Sequence, residues 1–257
     1  TPISPDGIRL PTAVGADRLE SVRATKAILQ DEASQIAVRF VMPAEGRQIA
    51  ELGAGGGGKT LALADLMKAS GQIYAFDSDA RRLEETRRRA REAKVTNLQC
   101  HRLPRFGEKR VMMLARFAGL MDRVFVDAPC SGSGTWRRHP DVKWRLDAER
   151  LAELVETQKR MLGEALALAG PEETARVVYV TCSLLPEENE DVVAAVLAEH
   201  PGWRLLDYRD LLDAAGLPEI ADSAALPPQC LQLTPARHGT DGLFVAVLVP
   251  ESLEGEG

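Results

Sequence analysis

The chain is poor in cysteine, with four in 257 residues. Cys100, Cys130, Cys182 and Cys230 form no CxxC pair and no metal-ligand spacing. That argues against a disulfide framework or a cysteine metal centre; reduced thiols in a cytoplasmic protein, with no metal, are expected. No apolar run approaches the roughly 20 residues that a membrane-spanning helix needs. The opening Thr1-Pro2-Ile3-Ser4-Pro5 has no basic-then-apolar signal pattern and no initiator Met, as in a processed chain or a fragment. Positive charge is not in excess: 32 Lys and Arg against 38 Asp and Glu leave a formal net charge of -6. A general nucleic-acid coat, which binds by neutralising phosphates, is therefore disfavoured, while a local basic track remains open. Basic residues do cluster at 81–94, 102–116 and 137–145.

What is present is a sizeable core. Hydrophobic residues make up 45% of the chain, enough for one large α/β domain or one domain with an appendage. Short apolar runs at 49–52, 73–76, 98–101, 123–126, 177–180 and 243–249 read as strands. Helices are predicted over 21–42, 60–69, 80–94, 147–169 and 186–200, the last with an acidic first turn at Glu187, Glu188 and Glu190. Strands alternating with helices imply a mostly parallel, doubly wound sheet with helices on both faces. The expected organisation is a lead segment and helix over 1–42, a catalytic domain over 43–250 and an acidic tail over 251–257.

Two cysteine motifs carry most of the functional signal. Asp127-Ala128-Pro129-Cys130 follows the run Val124-Phe125-Val126, and Thr181-Cys182-Ser183 follows Val177-Val178-Tyr179-Val180. Both thiols therefore sit where a strand ends, the edge at which open α/β sheets bind ligands. Two thiols there, one beside an acid, suggest covalent chemistry on a bound substrate. Cys100 and Cys230 have no such setting and read as small core residues.

The segment Gly53-Ala54-Gly55-Gly56-Gly57-Gly58-Lys59-Thr60 has two readings. It matches the phosphate-binding pattern GxxxxGK[ST], with Asp127 as the matching strand-end acid, which would make a nucleotide triphosphatase. It also fits the adenosyl-cofactor loop of a Rossmann-like methyltransferase. Asp77, 24 positions after Gly53 at the end of the second strand, suits an acid that accepts hydrogen bonds from ribose hydroxyls. The triphosphatase reading leaves the Ala-Pro-Cys-Ser-Gly after Asp127, and Cys182, without a role.

Taken together, these segments resemble the Sun/Fmu (RsmB-like) family of RNA cytosine-C5 methyltransferases. The resemblance runs through Asp127-Ala-Pro-Cys-Ser-Gly-Ser-Gly-Thr-Trp-Arg-Arg-His-Pro-Asp141 and Tyr179-Val-Thr-Cys-Ser-Leu-Leu-Pro-Glu-Glu-Asn-Glu190. Gln30-Asp-Glu-Ala-Ser-Gln35 and His238-Gly-Thr-Asp-Gly-Leu-Phe244 add to it. It implies a Rossmann-like fold, S-adenosylmethionine as cofactor and an RNA substrate, most readily ribosomal RNA. It makes Cys182 the nucleophile on cytosine C6 and Cys130 the thiol that assists product release. Asp127 would hold the base, and Lys59 would orient Asp127 or lower a nearby thiol pKa. Residues Gly53, Ala54, Gly55, Gly56, Gly57, Gly58, Lys59, Asp77 and Asp127 would line the cofactor site.

Three departures stand out. The family loop runs close to C-A-A-P-G-G-K-T, so this chain has lost a proline and should have a looser loop. The stretch Gln99-Cys100-His101-Arg102 has no carboxylate where the family carries an acid near the adenine amine. No counterpart of the family's additional N-terminal RNA-binding domain is evident. On the RNA side, Arg137, Arg138, His139 and Lys143, interleaved with Trp136 and Trp144, could hold phosphates and stack a base. Residues 81–94, with seven basic and three acidic side chains, read as a solvated salt-laced helix with Glu84–Arg88 and Glu85–Arg89 pairs. The target base must leave any stack for a thiol to reach it. A monomer is expected. A non-catalytic RNA-binding relative and, more weakly, a DNA target are the remaining alternatives.

Overall fold

In the computed structural model, residues 1–10, 15, 19–24, 26–171 and 174–251 are described. Residues 252–257 of the expected acidic tail lie outside them, as do 11–14 and 16–18 of the lead segment. The elements run α1 (Glu20–Arg23), α2 (Glu32–Arg39), β1 (Gln48–Leu52), α3 (Gly58–Leu66), β2 (Gln72–Asp77), α4 (Ala80–Glu92) and β3 (Leu98–Arg102). There follow α5 (Glu108–Ala115), β4 (Arg123–Asp127), α6 (Ala148–Leu168), β5 (Arg176–Thr181), α7 (Glu190–Glu199) and β6 (Trp203–Leu206). The chain closes with α8 (Leu212–Ala215), β7 (Leu231–Leu233), α9 (Pro235–His238) and β8 (Leu243–Pro250).

The strands form one sheet in the order β3-β2-β1-β4-β5-β8-β6, with β7 also on β8. The first five are parallel, and β8 runs antiparallel to β5. The order reverses between β1 and β4, so the crevice at their carboxyl ends is the expected ligand site. Alternation along the strands feeds two cores. Ile49, Ile73, Phe125, Val178 and Val245 join Ile36 of α2 and Leu63 of α3 on one face. Ala50, Phe76, Val124, Tyr179 and Phe244 join Leu162 of α6 and Val192 of α7 on the other. The strands read as continuous apolar runs because both faces are covered.

The predicted helix over 21–42 is two helices. Asp31 ends the link between them by accepting the Ala33 N–H at 2.9 Å, a cap that starts α2 afresh. Helix α5 and strands β6 and β7 carry too few residues to show a period in the sequence. β6 and β7 are recruited by hydrogen bonds to β8.

Phe125 is fully buried at the middle of the sheet. Phe125→Ala should cost about 3–5 kcal/mol of stability, read from the urea unfolding midpoint; a loss under about 1 kcal/mol would show that this core is not close-packed.

Candidate active site

The carboxyl ends of β1, β2, β4 and the residue after β5 open into one cleft of about 1160 Å3, lined by Gly53, Lys59, Asp77, Asp127, Cys130 and Cys182 among others. Residues far apart in sequence therefore share one space.

The glycine loop is shaped by close approach. A Cβ on Gly53 would lie 2.2 Å from the Asp127 carbonyl oxygen, so only glycine lets β1 leave the sheet over the end of β4. Gly57 has φ +83 and a Cβ there would lie 2.9 Å from Thr86 Cγ2. The loop is not loose, contrary to what the missing proline suggested. Gly53 N and Ala54 N donate to Phe76 O at 2.9 and 3.1 Å, and Gly55 N donates to Asp77 Oδ2 at 2.8 Å. From α4, Thr86 Oγ1 donates to Gly55 O at 2.8 Å and Arg89 Nη1 to Gly56 O at 2.6 Å. Arg89 therefore serves the loop, and in place of the predicted Glu84–Arg88 and Glu85–Arg89 pairs α4 has Glu84–Arg87, Glu85–Arg88, Arg88–Glu92 and Glu84–Arg91. A Cβ on Gly55 or Gly56 would meet nothing closer than 3.8 or 4.0 Å, so their bareness leaves room along the cleft wall for a ligand. Asp77 accepts Gly55 N and Asp79 N on separate oxygens. Each oxygen keeps a further lone pair for a ribose hydroxyl.

Lys59 Nζ donates to Asp127 Oδ2 at 2.8 Å. Burial works against the ammonium, but the charge and hydrogen bond of Asp127 outweigh it and hold Lys59 above its ordinary range. The cation that a triphosphatase would aim at phosphate is thus committed to Asp127, whose Oδ1 has no protein partner among the described residues. Glu51, the residue before Leu52 in β1, is fully buried. Burial lifts its carboxyl to about 8 despite a 2.5 Å hydrogen bond from Thr60 Oγ1. It is therefore neutral at pH 7 and ties the first turn of α3 to β1.

The two thiols meet. Cys130 Sγ and Cys182 Sγ are 3.2 Å apart, because β4 and β5 are parallel neighbours with Asp127 opposite Val180. The hydrogen bond from Cys130, then the Lys59 charge, lower the Cys182 thiol against burial and Asp127. The same bond, with burial, pushes Cys130 well above its ordinary value. The pair is polarised: Cys182 tends to thiolate and Cys130 stays a protonated donor.

A buried polar frame holds the two loops in contact. Glu188 Oε1 accepts from Ser131 N at 2.7 Å and from Gln158 Nε2 at 3.0 Å. Gln158 Nε2 also donates to Pro129 O at 2.9 Å. Ser133 Oγ lies 3.0 Å from Ser183 Oγ, and Gly134 N donates to Cys182 O at 2.9 Å. A Cβ on Gly134 would lie 2.5 Å from Gly242 O, so glycine is needed where this loop meets the 239–242 turn. Sequence reasoning gave no role at the site to Glu188, Thr86, Arg89, Glu51 or Asp241. Only Glu51 and Glu188 carry a signal, as acids beside a glycine loop and within a cysteine block.

The predicted RNA segment divides. Arg138 Nε lies 3.0 and 2.9 Å from the two carboxylate oxygens of Asp241, and Arg137 Nη2 lies 3.5 Å from Oδ1. Asp241 is buried and forms ion pairs with both arginines. His139 is exposed, and Lys143 Nζ sits 4.7 Å from the centroid of the Trp144 ring, itself 80% exposed. Cys100 and Cys230 do not line the cleft. Burial raises both thiols, Cys230 to about 12; Cys230 is a core residue as expected, whereas Cys100 is only half-buried on the outer strand β3.

Iodoacetamide labelling followed by mass spectrometry should show Cys182 alkylated with a pH midpoint below the free-thiol value of about 8.5. Cys130→Ala should move that midpoint upward by removing the hydrogen bond. An unmoved midpoint would refute the polarised pair.

A family model described as 16S rRNA methyltransferase RsmB/F matches residues 38–249. The ribosomal RNA small subunit methyltransferase B of Sodalis glossinidius is 33% identical over 255 residues, covering 96% of this chain and 52% of that protein. Its counterpart in Pectobacterium atrosepticum is 33% identical over 247 residues, covering 95% and 52%. The chain spans about half the length of the curated relatives it matches. Among solved structures, PH0851 superposes with a TM-score of 0.80 at 30% identity, over 92% of this chain and 50% of that one. A methyltransferase homologue from Pyrococcus horikoshii superposes with a TM-score of 0.72 at 26% identity, over 92% and 72%. Because the family model spans most of the chain and the two curated relatives are 33% identical over nearly all of it, this chain belongs to the RsmB/F family of 16S rRNA methyltransferases.

Proposed function

We propose that this chain is the catalytic part of an S-adenosylmethionine-dependent RNA cytosine-C5 methyltransferase acting on ribosomal RNA, as a cytoplasmic monomer, with residues 43–250 as its catalytic domain. Family membership supports the reaction class over the triphosphatase alternative. One observation carries the mechanism: two thiols 3.2 Å apart beside a Lys59–Asp127 pair.

Cytosine C5 is a poor nucleophile. Addition of Cys182 Sγ to C6 pushes electron density onto C5, making it able to attack a methyl group. Asp127, oriented by Lys59, holds the N3/N4 edge of an extruded cytosine and shares a proton there as addition occurs. The cofactor supplies an electrophilic sulfonium methyl. Gly53 to Gly58 and Asp77 would hold it, since the bare loop wall and the spare acceptor capacity of Asp77 fit an adenosyl group. Transfer of the C5 proton to solvent water leaves its electron pair to re-form the C5–C6 double bond, and the Cys182–C6 bond breaks with its electron pair returning to sulfur. Cys130, already hydrogen-bonded to that sulfur, steadies the departing thiolate.

Methyl transfer from labelled cofactor to ribosomal RNA should vanish in Cys182→Ala. Cys130→Ala should accumulate an RNA–protein adduct that survives denaturing electrophoresis. Full activity in the first variant, or a freely released product in the second, would overturn the assigned roles. Loosening the loop with Thr86→Val and Arg89→Met should weaken S-adenosylhomocysteine binding by about thirtyfold, as loss of two hydrogen bonds worth about 1 kcal/mol each allows. Calorimetry checks this, and unchanged affinity would mean that α4 does not brace the loop.

A further inference from the structure

Most of the basic side chains on α4 are already engaged: Arg87, Arg88 and Arg91 pair with Glu84, Glu85 and Glu92, and Arg89 holds the glycine loop. Arg81 is not. It lines a groove of about 840 Å3 together with Arg102 at the end of β3, Arg105 in the following loop and Lys109 in the first turn of α5. All four are exposed, and among the described residues none has a carboxylate partner. Asp79 is the one acidic side chain in the groove, and its Oδ1 accepts Arg81 N at the start of α4.

Three elements thus bring four unneutralised cations together in a chain whose net charge is -6. The groove joins the active-site cleft, since Ser78, Asp79, Leu103 and Arg105 line both. Phe106 stands beside this junction, lines the cleft and is 72% exposed. A large apolar ring open to water beside a row of cations is the pattern that binds unpaired nucleotides, with phosphates on the cations and a base on the ring. Arg137 and Arg138, which the sequence favoured, are instead drawn to Asp241.

We infer that Arg81, Arg102, Arg105 and Lys109, with Phe106, form a track for single-stranded RNA running away from the target cytosine. This rests on the RNA-methyltransferase reading and extends it to the route of the substrate strand.

The test is the salt dependence of binding, read by fluorescence anisotropy with an unstructured cytidine-containing oligoribonucleotide and the full chain. Each phosphate contact on a single strand contributes about 0.7 to the slope of log K against log salt. Arg102→Gln with Lys109→Gln should therefore reduce the slope by about 1.4. Arg204→Gln, on the exposed face of β6, should leave it unchanged. Phe106→Ala should weaken binding without altering the slope, because stacking releases no counterions. Thermal midpoints and S-adenosylhomocysteine affinity should be unaltered in the double glutamine variant, separating the track from the fold and from the cofactor site. If the wild type binds the RNA and the double variant keeps its slope, the track is wrong while the enzymatic reading stands. If the wild type binds S-adenosylhomocysteine but neither the oligonucleotide nor ribosomal RNA, the substrate reading fails and the track falls with it.

Discussion

The active site hangs on a buried carboxylate. Glu188 has no exposure and, among the described residues, no ion-pair partner, yet it lies between the Cys130 loop and the long helix α6. An unpaired acid in that setting would be costly, and the protein answers with donors. Ser131 offers its backbone N–H and its hydroxyl, and Gln158 offers its side-chain amide. Tyr179, on β5, donates through its hydroxyl to the Glu188 backbone carbonyl at 2.7 Å. One residue thereby ties α6, β5, the loop after β4 and the segment leading into α7. The 3.2 Å contact between the thiols depends on that tie, because either loop could otherwise drift away from its strand end.

The glycine loop shows a similar exchange of one constraint for another. Proline would restrict the backbone directly. Here the restriction comes from outside, as Thr86 and Arg89 hold two consecutive loop carbonyls from α4. Thr86 is fully buried and packs against Gly57. A bare, flexible sequence is held by its neighbours, and the space that side chains would have filled stays open.

Much of the fold was legible in the chain. Strands β1, β2, β4, β5 and β8 are apolar runs because both faces of the sheet are covered, and burial on both faces leaves little choice of residue. The helix over 21–42 was misread because its apolar spacing persists while Asp31 interrupts it with a cap. The short edge strands β6 and β7 were invisible, since their pairing is decided by β8 rather than by their own composition.

By itself the sequence determined the succession of β1 to β5 and β8 with α3, α4, α6 and α7 between them, and the position of Cys130 and Cys182 just past strand ends. It also determined the bareness of the loop after β1. Those follow from local rules, hydrophobic period and turn chemistry, which act over a few residues. Only the tertiary structure decided that the thiols touch, that Lys59 is committed to Asp127, that Asp241 takes Arg138, and that four scattered cations share a groove. The three pairs join residues 52, 68 and 103 positions apart, the four cations come from α4, β3, α5 and the loop between the last two, and their meeting is set by sheet order and register. No local pattern encodes which strand will lie beside which, so a charge or thiol read along the chain gains its partner, and hence its chemistry, only when the sheet forms.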